Sequence, residues 1–378
     1  MLTRRALVRA AGIAAVSLTG CAPLPHRPAP HLGDATGAGP GYELRPAGEA
    51  LWICGEDGVL QALDARTDTV SARVPLEMKL PERSAPELFA GSALWAYEFQ
   101  TGAVVAVDPA TARITGRARL PGAANLVGLV SLAAHGTLWV AYHGGVRRVD
   151  RTGGTRHTPL PPGFAPTAAT ATARHLWLAG EGTLLRLDPG GAAPLSVPLP
   201  VGVEVEELTA TTSALYSLPG SARQLSSFDP VTGAHRSTQD LSAAARALHA
   251  VGDTLWIADD DHIHRVRATG LDSPPIEVGE YYADSSAVLD GGLWVGISGL
   301  NEVHRLDLTT GRTTARVPVE VAEEDDPAFA VYAGARTLWV LDGDFFNGIA
   351  RIDPVAGRER KLIPTTGIDI QYVTTTPT

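Results

Sequence analysis

Carboxylates and histidines are the residues of this chain whose spacing could do chemistry. Asp259-Asp260-Asp261-His262, with His264 two residues further on, gathers hard oxygen donors and imidazoles in one short stretch. Such a set could hold a divalent cation or pass a proton. Asp342-Gly343-Asp344, followed by Asn347-Gly348, has the donors and turn-forming glycines of a calcium loop with one residue too many. Asp259, Asp261, His262, Asp342 and Asp344 are therefore the candidate ligands for calcium or magnesium. The zinc patterns HExxH and paired CxxC do not occur. Neither does a GxSxG elbow, and Ser, His and Asp are spread without the order of a nucleophilic triad. The competing interpretation of all these acids is solvated loop charge.

What positions them is read from a repeat. All seven tryptophans stand in one dipeptide, Leu51-Trp52, Leu94-Trp95, Leu138-Trp139, Leu176-Trp177, Leu255-Trp256, Leu293-Trp294 and Leu338-Trp339, and Leu215-Tyr216 fills the one wide gap. The spacing is about forty residues, the period of a propeller or solenoid. Most aromatics are followed by an Asp that opens a turn, namely Asp64, Asp108, Asp150, Asp188, Asp229, Asp307 and Asp353, while Arg267 stands there in the sixth unit. A carboxylate at that place can accept backbone N–H groups, and a following Gly supplies positive φ.

Each unit reads as four short strands, with strand b starting at the Leu-Trp and strand c ending at the Asp. A lone meander cannot cover both its faces, but units packed face to face around an axis can. The expectation is an all-β chain forming a single β-propeller of eight four-stranded blades. Seven is the alternative, with the Tyr216 unit the weakest blade. The C-terminal GIDIQYVT is expected to close the ring as strand a of the first blade. The composition agrees: 44% hydrophobic residues suffice for a core, and Gly 40 with Pro 28 implies many turns.

Residues 1–20 read as a signal peptide. Arg4, Arg5 and Arg9 precede a short apolar run, and Leu18-Thr19-Gly20-Cys21 follows. The run is too short to span a bilayer. Thr3-Arg4-Arg5 resembles a twin-arginine export signal, and the tetrapeptide resembles a bacterial lipobox, which makes Cys21 the expected lipidation site. Residues 21–41 are a Pro/Gly-rich tether, and 42–378 the propeller. The chain is expected in the cell envelope as a monomer, lipid-anchored through Cys21 to the extracytoplasmic side of a membrane. Cys54, within Leu51-Trp52-Ile53-Cys54, reads as an inert core thiol.

In an antiparallel meander the b–c and d–a loops share one face of the disc. The b–c loops carry Glu56, Asp57, Glu98, Glu181, Asp259, Asp260, Asp261, Asp342 and Asp344; the d–a loops carry Glu77, Glu87, Glu206 and further acids. His143 and His262 are the best-placed histidines. The opposite c–d turns mix Asp with Arg66, Arg113, Arg156, Arg236, Arg312 and Arg358. One face is thus expected to be acidic and suited to a basic protein, a cationic ligand or a divalent metal. A formal charge of −10 argues against a nucleic-acid partner. Strand b of the first blade runs away from the c–d side, so both chain ends should lie opposite the acidic face.

The segments Leu293–Asp307 and Thr337–Gly357 resemble bacterial YVTN and NHL-like propeller repeats, including those of the streptogramin (virginiamycin B) lyase-like group. That resemblance spans nearly all of residues 50–365 and implies the fold; for the lyase-like group it implies acids and histidines with magnesium along the axial channel. Glu98, Asp259 and Asp342 occupy the third position after the Trp, where related repeats often have an acid. The architecture is also comparable to the eight-bladed lipoprotein of the outer-membrane protein assembly machinery. Two functions follow. The first is a binding or scaffold module acting through the acidic face. The alternative is a lyase or hydrolase of a small molecule at the channel mouth, dependent on a divalent metal.

Overall fold

The eight Leu-Trp or Leu-Tyr dipeptides each sit in the second strand of a four-stranded antiparallel blade, and eight blades form one ring. The structure, a computed structural model, describes residues 50–375 except 55–56, 81–85, 121–129, 181, 204, 220–222, 242–243, 246, 260–261, 268–269, 272–274, 278–282, 298–299, 320–328, 335, 343–347, 356–357 and 365–371. The signal peptide and tether expected over 1–41 lie outside the described residues. Among the described residues no helix is long and apolar enough to cross a membrane.

Blade 1 is built from both ends of the described chain. Ala50–Cys54, Val59–Asp64 and Thr69–Pro75 supply strands b, c and d, and Tyr372–Thr375 adds as strand a against Ala50–Cys54. The closing register pairs Leu51 with Thr375 and Cys54 with Tyr372. Ala50 and Thr375 consequently lie at the same end of the blade, on the a–b and c–d side, as expected. The innermost strands of the other blades are Glu87–Ala90, Val130–Ala134, Ala168–Ala171, Glu207–Ala210, Ala247–Val251, Ala283–Leu289 and Phe329–Ala333. Each touches its neighbours all the way round the ring. The Tyr216 unit is a complete blade, with Tyr216 buried in the place of a tryptophan.

The core lies between blades, and the tryptophans are part of it. Trp177 of blade 4 packs with Leu208, Leu215 and Phe228 of blade 5, and Trp339 of blade 8 packs with Leu51, Ile53 and Leu63 of blade 1. The Asp turns also form as read. Asp64 Oδ1 accepts the N–H groups of Arg66 at 2.7 Å and Thr67 at 3.1 Å. Asp108, Asp150, Asp188, Asp229, Asp307 and Asp353 accept the N–H two residues on in the same way. Hydrogen bonds to the ionised form hold a carboxyl down. Asp229 lies well below the usual carboxylate range through the backbone N–H of Thr232 and the Arg236 guanidinium. In blade 6, where Arg267 replaces the Asp, the outer strand is broken into Gly270–Leu271 and Ile276–Glu277, both paired to His262–Arg267.

A second repeated device joins the blades. Five tryptophans face an arginine directly across the b–c pair: Trp139–Arg148, Trp177–Arg186, Trp256–Arg265, Trp294–Arg305 and Trp339–Arg351. The guanidinium of Arg148 lies 5.3 Å from the Trp139 ring centre, within cation–π range. Arg148, Arg186 and Arg265 then donate to the carbonyls of Pro189, Val231 and Thr309 in the c–d turn of the next blade. At the ring closure Arg351 of blade 8 pairs instead with the Asp68 carboxylate of blade 1, and both side chains are about 10% exposed.

Candidate functional site

The acids at the third position after the Trp end strand b on the b–c face, and two of them are turned inward. Glu98 is fully buried; its Oε1 accepts the N–H of Gln100 at 2.9 Å and its Oε2 that of Thr101 at 2.6 Å. Asp259 is 1% exposed; its Oδ1 accepts the N–H of His262 at 2.7 Å, and its Oδ2 lies 2.7 Å from His264 Nε2. His262 Nδ1 stands 3.6 Å from Asp259 Oδ1, and the two imidazole rings are 6.1 Å apart. An Asp–His pair of this kind fixes one imidazole tautomer. Here both partners are buried, so it clamps the b–c loop to strand c.

The remaining candidates are dispersed. Asp57 is exposed and caps its own loop through the Val59 N–H at 2.9 Å, and His143 is exposed. Asp342 ends strand Leu338–Asp342 opposite Phe329, at the register of Glu98, and nothing is described of its side chain. Glu56, Glu181, Asp260, Asp261 and Asp344 lie outside the described residues. Among the described residues no three His, Cys, Asp or Glu side chains converge as a metal site. Glu77, read as part of the acidic face, is ion-paired to Arg117 of the next blade at 2.9 Å. Cys54 is buried, its thiol pushed up by burial and by Asp57, as an inert core thiol would be.

The sequence leaves Glu87 in a d–a loop just before the inner strand of blade 2, whereas Glu87 is the first residue of that strand a, directly opposite Tyr97. Its Oε2 accepts the Ser131 hydroxyl, 3.2 Å away on strand a of blade 3. Burial pushes the Glu87 carboxyl up to about 7; the Ser131 hydrogen bond opposes this and the Glu98 charge reinforces it. The Tyr97 hydroxyl is pushed up by burial and then by both carboxylates. Four blades away, His249 lies opposite Trp256, and burial pushes its imidazole down to about 4. The available signal was the strand alternation, which places Glu87 two residues before Phe89 on one face.

No protein-family model matches the chain, and no curated protein matches it in sequence. Solved structures do. Dihydro-heme d1 dehydrogenase NirN in complex with DHE is 15% identical over 90% of this chain and 78% of its own, with a TM-score of 0.63. BamB from Moraxella catarrhalis is 16% identical over 80% and 91%, with a TM-score of 0.52. A catalytically inactive virginiamycin B lyase from Staphylococcus aureus with quinupristin is 16% identical over 71% and 94%, with a TM-score of 0.51. At these identities the likeness is one of fold, and it agrees with the eight-bladed ring.

Proposed function

We propose that this protein is a lipid-anchored, extracytoplasmic propeller of the cell envelope that binds a basic protein or cationic ligand through its b–c/d–a face. The observation that carries a binding role is the use made of Glu98 and Asp259. Glu98 spends its oxygens on its own loop and Asp259 on the start of strand c, so they shape the face and leave its exposed acids, such as Asp57 and Glu206, to meet a partner. The placement of Ala50 and Thr375 supports the orientation. A tether leading from Cys21 enters on the opposite side, which keeps the acidic face away from anionic headgroups. Ligand binding by this ring format is also recorded in the NirN structure with DHE and the lyase structure with quinupristin.

Two measurements test the reading. Cys21→Ala should move the protein from the membrane to the soluble fraction, and retention of the variant in the membrane would refute the anchor. Asp57→Lys with Glu206→Lys should weaken binding of a tetralysine peptide about fivefold at low salt, a surface-charge effect of about 1 kcal/mol that fades at high salt. Unchanged affinity at low salt would refute the face.

A further inference from the structure

Glu87 and Phe89 share one face of strand a in blade 2, and their cross-strand partners Tyr97 and Trp95 share it too. That face packs against blade 3, with Phe89 partly buried beside Leu138 and Val140. Glu87, partly exposed as a residue, stands on the innermost strand at this seam, and its carboxyl accepts the Ser131 hydroxyl. A carboxylate can accept about four hydrogen bonds, so it has capacity for more. The Tyr97 hydroxyl is fully buried and has no hydrogen-bond partner among the described residues. Orphaned buried hydroxyls are uncommon and call for an explanation. The described titratable group acting on Glu87 is Glu98, and those acting on Tyr97 are Glu87 and Glu98, with no Lys or Arg among them. Nothing is described of the side chains of Tyr372–Thr375 on the neighbouring strand.

We propose that Glu87, Tyr97 and Ser131 form a binding site for an alkylammonium group at the seam between blades 2 and 3. The three donors of an ammonium can be met by the Glu87 carboxylate with the Tyr97 and Ser131 hydroxyls, and the partly exposed Phe89 on the same strand face offers aromatic surface to the alkyl stem. Calcium, by contrast, takes six to eight oxygen ligands, more than this seam presents. Binding exchanges charges one for one. The ammonium replaces the proton that Glu87 holds when neutral, and that proton leaves to solvent. The ammonium can belong to a free amine or to a lysine of a protein partner. The site does not depend on the exposed acids of the proposed face, so either can fail without the other.

The test is calorimetry on the purified full chain, with n-butylammonium, a lysine-containing tripeptide and neutral n-butanol as probes. With a carboxyl near 7, the ionised fraction rises about tenfold between pH 6 and pH 8, so butylammonium affinity should rise about tenfold. Heats measured in buffers of different ionisation enthalpy should show proton release near pH 7. Butanol should not bind. Glu87→Gln should abolish binding and proton release while keeping the wild-type melting temperature at pH 6, where Gln mimics the neutral acid. Ser131→Ala should weaken binding severalfold. A tighter tripeptide than butylammonium supports the site and assigns the source to a protein, whereas the reverse supports it with a free amine. No saturable binding of either cation, equal binding by Glu87→Gln, or Glu87-dependent binding of calcium in place of the amines would overturn the proposal.

Discussion

Gly233 and Gly182 offer a controlled measurement of how tightly one blade is keyed into the next. Their φ values, +73° and +71°, are nearly equal, so replacing either by Ala imposes the same left-handed backbone cost of about 1–2 kcal/mol. Their surroundings differ. A Cβ at Gly182 would meet nothing within 4 Å, whereas one at Gly233 would stand 2.7 Å from Cη2 and 2.8 Å from Cζ3 of Trp177 in the preceding blade. Trp177 cannot swing aside freely, because it is wholly buried and its Nε1 donates to the Pro230 carbonyl at 3.1 Å. Overpacking of this kind costs about 1–3 kcal/mol. Gly233→Ala should therefore destabilise by about 2–5 kcal/mol and Gly182→Ala by about 1–2 kcal/mol, read from urea midpoints at constant slope. Trp177→Phe removes the atoms that clash. Combined with Gly233→Ala it should recover about 1–3 kcal/mol relative to the sum of the single changes. Equal losses at the two glycines, or strict additivity with Trp177→Phe, would refute this account of the seam between blades 4 and 5.

The Arg351–Asp68 pair gives the ring closure a second lock beside the closing strand. Arg351→Met removes one charge-assisted bond from the Asp68 carboxylate, so it should cost about 1.5–3 kcal/mol and lower the thermal midpoint, whereas an unchanged midpoint would mean that the strand alone closes the ring. His249 titrates near 4 in the fold against an ordinary 6.5, so its contribution is intact above about pH 6.5 and is lost as pH falls toward 4. Glu87, raised to about 7, works in the opposite sense over much of this range, stabilising below its ordinary 4.5 and losing that as pH rises through 7. His249→Phe should thus remove about 2 kcal/mol of acid-induced loss between pH 7 and pH 5 relative to wild type. Parallel stability curves for the two proteins would place that imidazole in solvent.

The sequence by itself determined the architecture. The Leu-Trp period marks where each second strand buries its large side chain, and the Asp at the end of each third strand marks a turn, because hydrogen bonds within a few residues and burial on one strand face are local. The closing strand was legible for the same reason: the chain ended in an apolar β-like run, and its first unit lacked an inner strand. Even the irregular outer strand of blade 6 coincides with a visible departure, Arg267 in place of Asp. Tertiary structure alone decided which polar groups meet. The spacing of Arg148, Arg186 and Arg351 opposite a tryptophan is written in the chain, but their acceptors at Pro189, Val231 and Asp68 lie in the next blade, at a distance set by how the blades pack. Glu98 and Asp259 share a register and a residue type with a channel acid, yet backbone N–H groups a few residues on claim them. Glu87 looked like one loop acid among many. It became a distinct chemical group only when strand pairing set it opposite Tyr97 and blade packing brought Ser131 to its side. Period and propensity specify each blade's own hydrogen bonds and burial; the convergence of side chains from separate blades depends on the rotation between them, which no local pattern encodes.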